Sequence, residues 1–407
     1  IKIWKTNSKF IRFMLKYKKK EWCRMNVVGI ICEYNPFHNG HKYHLEKIKE
    51  MFPDSIIILV MSGNFTERGI PSIIDKWNKT EIALEMGIDL VVELPFAFAT
   101  QSADIFAHGS ISILKELKAN CLVFGSENNN VEKLTMAANY VLNDDSYQEK
   151  VKMYLDKGYN YPTSLNMAFP KEYESIKTPN DLLAFSYIKE IMKQKANITP
   201  ISIQRTNAFH SMELSKIASS TSIRKALEEK KDITYSVPKE VANKLNGKLC
   251  FQNDYFPFLK YKILSSPDLT IYQTVDEGID KRLQKEIASV TNWEELIQSI
   301  KTKRYTYNRI NRMLIHILCN FTKEQANKWH DISYIRVLGF SRKGQKYLNG
   351  IKKEMALPLV TTFSRCQDEM LKYEQTVTSI YASVFTQEKQ NEIIKSEYQN
   401  QPKMREH

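Results

Sequence analysis

The six cysteines of this 407-residue chain, Cys23, Cys32, Cys121, Cys250, Cys319 and Cys366, stand far apart and form no CxxC pair. That spacing excludes a zinc knuckle and a disulfide framework, and it suits a reducing cytoplasm. No apolar run approaches the ~20 residues that a membrane-spanning helix needs. Internal repeats and low-complexity tracts are missing. Residues 1–24 lack the apolar core and small-residue cleavage site of a secretory signal. There is no Walker P-loop either: residues 339–346 imitate one, but Gln345 stands where lysine is required, so the stretch reads as a basic turn.

What is present describes a folded protein of one large domain or two ordinary ones, with 43% hydrophobic and 26% charged residues. The net charge of +13 is concentrated: residues 1–24 carry +8, residues 301–346 carry +9, and the remainder sums to −4. Localised basicity fits a polyanion-binding face rather than a uniformly cationic coat. Residues 1–24 precede Met25, where a domain of this type normally starts, and are read as an upstream extension outside the fold. A basic amphipathic arm for RNA or membrane surfaces is the alternative.

From Met25 onward, apolar runs and amphipathic stretches alternate about every thirty residues, the rhythm of βαβ units. Strands are expected over 27–32, 55–61, 89–94, 119–124 and 200–204, with helices over 40–51, 75–87, 102–117, 131–142 and 181–193. Near-continuous apolar strands joined by helices predict an α/β, Rossmann-like parallel sheet, with ligands above the carboxyl ends of the strands. The rhythm stops near residue 235, giving expected domains of 25–235 and 236–407, the second mainly helical. Its helices are expected over 293–301, 307–318, 323–329, 343–354 and 367–383, with a frayed polar tail of about twenty residues.

The loop after the first strand is Glu33-Tyr34-Asn35-Pro36-Phe37-His38-Asn39-Gly40-His41-Lys42-Tyr43-His44. Two imidazoles three residues apart flank a glycine where strand turns into helix, so both rings and several free backbone N–H groups can face one anion. The other reading of His38 or His41 is a helix cap. A second loop, Ser62 to Gly69, carries one cation and is followed by Asp75-Lys76, which fits either a second wall of the site or a helix N-cap. Ser219-Ser220-Thr221-Ser222-Ile223-Arg224 offers hydroxyls and a guanidinium at another helix start, either a phosphate clamp or a cap. In 301–346, Lys301, Lys303, Arg304, Arg309, Arg312, Arg336, Arg342, Lys343 and Lys346 alternate with Tyr305, Tyr307, Tyr334 and Phe340. That mixture fits RNA phosphates and unstacked bases, against the plain alternative of a solvated helical face.

The HxGH corner resembles the signature of the nucleotidyltransferase superfamily. The stretches GIICEYNPFHNGHKYHLEKIKE, SGNFTERGIPSIIDKWNKTEIALEMGIDLVVELP, TPNDLLAFSYIK, SSTSIRKAL, KTKRYTYNRINRMLIHIL and YIRVLGF resemble the bacterial tRNA(Met) cytidine acetate ligase family from Met25 through nearly the whole chain. The resemblance implies an ATP-dependent ligase. Acetate attacks the ATP α-phosphate to give acetyl-adenylate and pyrophosphate, and N4 of the wobble cytidine of elongator tRNA(Met) takes the acetyl group to give N4-acetylcytidine. It implies catalytic roles for His38, His41 and Arg224, with Mg2+ carried mainly by the triphosphate, and ATP binding by Ile31, Cys32 and the whole Glu33–His44 loop. Ser220 and Thr221 would close over the triphosphate. Further nucleotide contacts carry over to Gly109, Asn180, Arg205 and Thr206, although the family usually has Ile at the last position. The alternatives are an adenylyltransferase acting on a small phosphorylated metabolite and a non-catalytic RNA-binding protein.

Overall fold

The computed structural model describes residues 26–406 apart from 160, 171–175, 177, 206–217 and 303. The extension 1–24, Lys303 and Thr206 lie outside the described residues. The expected first half forms as β1 (Val27–Cys32), α1 (Asn39–Met51), β2 (Ile56–Ser62), α2 (Lys76–Glu85), β3 (Leu90–Leu94), α3 (Ala103–Glu116), β4 (Cys121–Ser126), α4 (Pro179–Lys193) and β5 (Thr199–Gln204). β1 pairs in parallel with β2 and β4, β2 with β3, and β4 with β5. Alternate residues of β2 feed opposite faces: Ile56, Ile58 and Val60 enter one apolar cluster, and Ile57, Leu59 and Met61 the other. Helices therefore cover both sides, the condition for a parallel sheet.

The second half adds α5 (Ser220–Glu228), then α6 (Trp293–Ile300), α7 (Tyr307–Leu318), β6 (Ile335–Ser341), α8 (Arg342–Ile351), β7 (Leu359–Val360), α9 (Glu369–Ala382), α10 (Gln387–Gln399) and β8 (Lys403–Arg405), with shorter helices between. β6 joins the sheet antiparallel to β3, and β7 and β8 pair with β6. Among the described residues the order is β5-β4-β1-β2-β3-β6-β7, with β8 on β6. The two expected regions thus share one sheet, and one apolar cluster runs from Val27 to Ile393.

Two expectations are corrected. The tail is not frayed: α10 and β8 pack onto the sheet, and Glu397 is fully buried. Residues 339–346 are not a turn but the end of β6 and the start of α8, where Ser341 caps the helix by accepting from Gly344 N. Helical spacing hid the cause: Gly344 lies against the Asp89 carbonyl, so close that a Cβ would stand 1.8 Å from it.

The strand order reverses at β1, which lies between β4 on one side and β2 on the other. Such a switch point opens a crevice beyond the strand carboxyl ends.

Candidate active site

At that crevice, His38 ends the loop after β1 and caps α1. Its Nδ1 accepts from Gly40 N at 3.0 Å, while His38 N donates to His41 Nδ1 at 3.3 Å. The rings stack with centroids 3.8 Å apart. Because each Nδ1 accepts from a backbone N–H, each neutral ring must carry its proton on Nε2. Cap and site are therefore one device: the cap fixes the tautomer and aims two N–H donors away from the backbone. Burial, then Arg205 and Arg224, push His38 down to about 3, and burial and His38 also push His41 well down. The rings stay uncharged near neutral pH, so they would meet a phosphate as hydrogen-bond donors.

The loop is held from all sides. Asn35 Nδ2 donates to Pro71 O at 3.0 Å, and Asn35 Oδ1 accepts from Ile73 N at 2.9 Å. Asn39 reaches the chain beyond α5, its N donating to Ser236 O and its Nδ2 to Tyr235 O. Tyr34 sits at φ 48° with its ring buried, its centroid 4.8 Å from that of His41. A left-handed tyrosine costs about 1–3 kcal/mol and persists where surroundings force it. Pro36 and Phe37 are buried beside it; Ile31, Cys32, Glu33, Gly40, Tyr43 and His44 are half-buried, and Lys42 is exposed. Burial raises the Cys32 thiol to about 12, so it stays protonated.

The second clamp meets the first. Arg224 Nη1 donates to Asn35 O at 2.7 Å and Nη2 to Thr221 Oγ1 at 3.2 Å. Thr221 Oγ1 also accepts from Arg68 Nη1 at 3.1 Å. Two guanidinium groups thus converge on one hydroxyl, a geometry that favours an anion. Burial and then Arg68 lower Arg224 to about 10. Ser219 is the cap of α5, accepting from Ser222 N, while Ser220 is the first helical residue.

Across the switch point, Asn180 donates from Nδ2 to Glu127 Oε1, Thr178 Oγ1 donates to Glu127 Oε2 at 2.9 Å, and Arg205 Nε lies 3.9 Å from Glu127. Asp181 holds the loop after β4 by accepting from Ser126 Oγ, Glu127 N and Asn128 N. The sequence reading missed Glu127; its only signal is a carboxylate directly after an apolar strand. Arg205 Nε is buried with no hydrogen-bond partner among the described residues, and its charge contributes to lowering His38, His41 and His44. Gly109 is buried within α3, and a Cβ there would lie 2.7 Å from the Phe98 ring, so packing alone calls for glycine.

Asp75 is a helix cap, accepting from Trp77 N and Asn78 N. Lys76 is buried between Glu93 and Glu397 and faces no cleft. Of the basic stretch, Arg336 is buried against Glu93 and Glu397, Lys343 donates to Ser55 O, and Arg312 pairs with Glu67. Tyr305 and Tyr334 are buried. Lys301, Arg304, Tyr307, Arg342 and Lys346 are exposed, and Arg309 is half-buried over the Tyr305 ring at 4.1 Å. No helix among the described residues is long and apolar enough to cross a membrane.

Residues 25–397 match the model of the HIGH Nucleotidyl Transferase family. The chain is 39% identical to a tRNA(Met) cytidine acetate ligase of Geobacillus sp. (strain WCH70), over 93% of this chain and 99% of the relative. It is 37% identical to one of Thermoanaerobacter pseudethanolicus, over 91% and 97%. The crystal structure of Thermotoga maritima TmcAL bound with alpha-thio ATP superposes with a TM-score of 0.87 at 30% identity, covering 94% of this chain and all of that one. The apo form of the same enzyme superposes with a TM-score of 0.88. With an α/β sheet, an HxGH corner at its switch point and these relatives along nearly its whole length, the chain belongs to the tRNA(Met) cytidine acetate ligase family of HIGH nucleotidyl transferases.

Proposed function

We propose that this chain is an ATP-dependent ligase that activates acetate as acetyl-adenylate and acetylates N4 of the wobble cytidine of elongator tRNA(Met). The observation that carries the reading is the paired Nε2–H donors of His38 and His41, fixed by backbone amides, beside the guanidinium of Arg224. Acetate oxygen attacks the α-phosphorus, and the bond to pyrophosphate breaks. The N4 amine then attacks the acetyl carbonyl, AMP leaves, and N4 gives up one proton. Acetate is unreactive and the N4 lone pair is delocalised into the ring, so activation must precede transfer.

In the first step, charge builds on the phosphoryl oxygens. His38 and His41 would donate to them, while Arg224 with Arg68 would hold the leaving pyrophosphate near Thr221. Ser220, Asn180 and Arg205 would line the nucleotide, with Glu127 orienting the last two. Gly109 would act only through the packing of α3. Among the described residues no three His, Cys, Asp or Glu side chains converge as a metal site. The Glu33 carboxylate is taken by Glu67 N at 2.6 Å. These side chains therefore do not fit a resident Mg2+; any Mg2+ would arrive on the triphosphate, and no step above depends on it.

We assign residues 25–235 to the nucleotide site and 236–407 to tRNA docking, through Lys301, Arg304 and Arg309 on the 301–346 face. The ATP and tRNA substrates of the proposed reaction and the wide spacing of the cysteines support the cytoplasm as its compartment. The test is incubation of a Met25-start protein with ATP, labelled acetate and tRNA(Met). Acetylated cytidine with AMP and pyrophosphate release is expected; AMP transfer to a phosphorylated metabolite instead would overturn the reading.

A further inference from the structure

Lys79 sits in the first turn of α2, is 1% exposed, and points back beneath the strand ends. Its Nζ donates to Ser62 O at 2.8 Å, Gly63 O at 2.7 Å, Ser72 Oγ at 2.9 Å and Glu33 O at 3.2 Å. Three ammonium protons are shared among four oxygens, and three of those oxygens are main-chain carbonyls. Among the described residues no carboxylate lies within ion-pair distance of it. A buried cation normally has such a partner; the hydrogen bonds this one makes among the described residues all go to carbonyl and hydroxyl oxygens.

The four acceptors have a common meaning. Glu33 follows β1 and opens the histidine loop; Ser62 and Gly63 end β2 and open the loop carrying Arg68; Ser72 is where that second loop returns. Gly63 is pressed so close to Glu93 that a Cβ would stand 2.5 Å from Glu93 Oε1, which keeps the Gly63 carbonyl where Lys79 can take it. The Glu33 carboxylate continues the chain of contacts by accepting from Glu67 N, and the next residue, Arg68, donates to Thr221.

We propose that Lys79 is a positioning residue: its ammonium ties the ends of β1 and β2 together, so that the histidine loop and the Arg68 loop face each other across the nucleotide cleft. Its catalytic consequence rests on the function proposed above. Loss of a proton leaves Lys79 two N–H donors for four acceptors and removes its charge, so the clamp weakens. Burial pulls Lys79 down to about 7, opposed by Glu33 at the end of β1, Glu93 on β3 and Asp75 at the cap of α2, and aided by Lys76.

The experiment compares wild type, Lys79→Met and Lys79→Arg by ATP- and acetate-dependent pyrophosphate release and by amide hydrogen exchange. Lys79→Met is expected to lower kcat about tenfold to a hundredfold, the effect of misplacing reacting groups by about an ångström, with a smaller change in KM for ATP. Amides in 33–41 and 63–72 should exchange about tenfold faster, while those of Val28–Ile30 and Leu90–Val92 keep wild-type protection. Lys79→Arg, whose planar fork donates to the same carbonyls and does not lose its proton, should restore most of kcat and remove the fall in rate above about pH 7. Wild-type kcat and loop exchange in Lys79→Met would overturn the proposal. So would exchange raised equally through the sheet, which would mark a packing role. A wild-type protein that releases no pyrophosphate would sink the proposed function alone, because the exchange comparison still decides the clamp.

Discussion

Lys76 Nζ and Glu397, 321 positions apart in sequence, meet at 2.8 Å with both side chains fully buried. Lys76 also holds Glu93 at 2.6 Å, and Arg336 bridges Glu93 and Glu397, so two cations and two carboxylates from α2, β3, β6 and α10 close one network. Thr378 adds a hydroxyl to Glu397. The arrangement lowers Glu397 to about 2, with the two cations outweighing burial.

Removing one member leaves buried charge uncompensated. Glu397→Ala is expected to destabilise the fold by about 3–5 kcal/mol, the usual effect of breaking a buried pair from one side. Urea unfolding of the variant against wild type measures it. A loss below about 1 kcal/mol would mean that water enters the network, and that the tail is less integral than its burial indicates.

The stacked histidines separate stability from rate. His38→Ala removes the N-cap of α1, at about 1 kcal/mol, together with one of the two N–H groups proposed to meet phosphate. His41→Ala removes the second donor and the reciprocal half of the cap. Loss of one preorganised donor is expected to lower pyrophosphate release about 10²–10³-fold, with tRNA binding retained. An unchanged rate in His41→Ala, measured by single turnover with ATP and acetate, would remove the phosphate role.

The parallel part of the sheet was legible because its signals are local. Val27–Cys32 is an apolar run, Asn39-Gly40 permits the turn, and HxGH supplies the cap, so sequence alone located β1, α1 and the junction that holds the proposed histidine pair. Arg224 was legible through Ser219 and Thr221 at a helix start. β6 was not: its seven residues follow an irregular stretch and precede a helix, and nothing local announces that they pair with a strand about 245 positions earlier, Val92 with Val337 among them. Arg336 looked like a surface cation for the same reason. Its fate is decided by Glu93 and Glu397, which composition cannot bring together. Glu127 was missed because a single carboxylate at a strand end has no pattern until Asn180 and Arg205 fold onto it.

Acid should unfold this protein through its imidazoles. His38 is lowered to about 3, His44 and His316 to about 4, and His41 well below its ordinary value, burial being the first cause in each. In the unfolded chain these rings take up protons near pH 6.5, so between 6.5 and about 3 the unfolded state binds more protons and stability falls as pH falls. His108 acts oppositely: Glu190 and Asp331 at 2.9 Å raise it, and its contribution is present in acid and lost as pH rises. His44, whose Nε2 is buried with no partner among the described residues, isolates one share. Urea midpoints from pH 7.5 to 4 should decline in wild type and decline less in His44→Leu; parallel curves would contradict the assignment.

The exposed cations of 301–346 would make a narrower RNA face than their number indicates, because Arg304 is 3.4 Å from Glu277 and Arg309 is 3.9 Å from Asp276. A phosphate would have to compete with those carboxylates, so the docking charge offered outright is that of Lys301, Arg342 and Lys346, together with whatever these arginines release on binding. Lys301→Ala and Arg304→Ala should each weaken tRNA(Met) binding and reduce the slope of log affinity against log salt by about 0.7–0.9 per lost phosphate contact. Glu277→Gln, which frees Arg304, should strengthen binding and steepen the slope. Arg336→Ala should instead act through stability, lowering the urea midpoint and leaving the slope of the folded fraction unchanged. If the two surface variants keep the wild-type slope, RNA docks on another face.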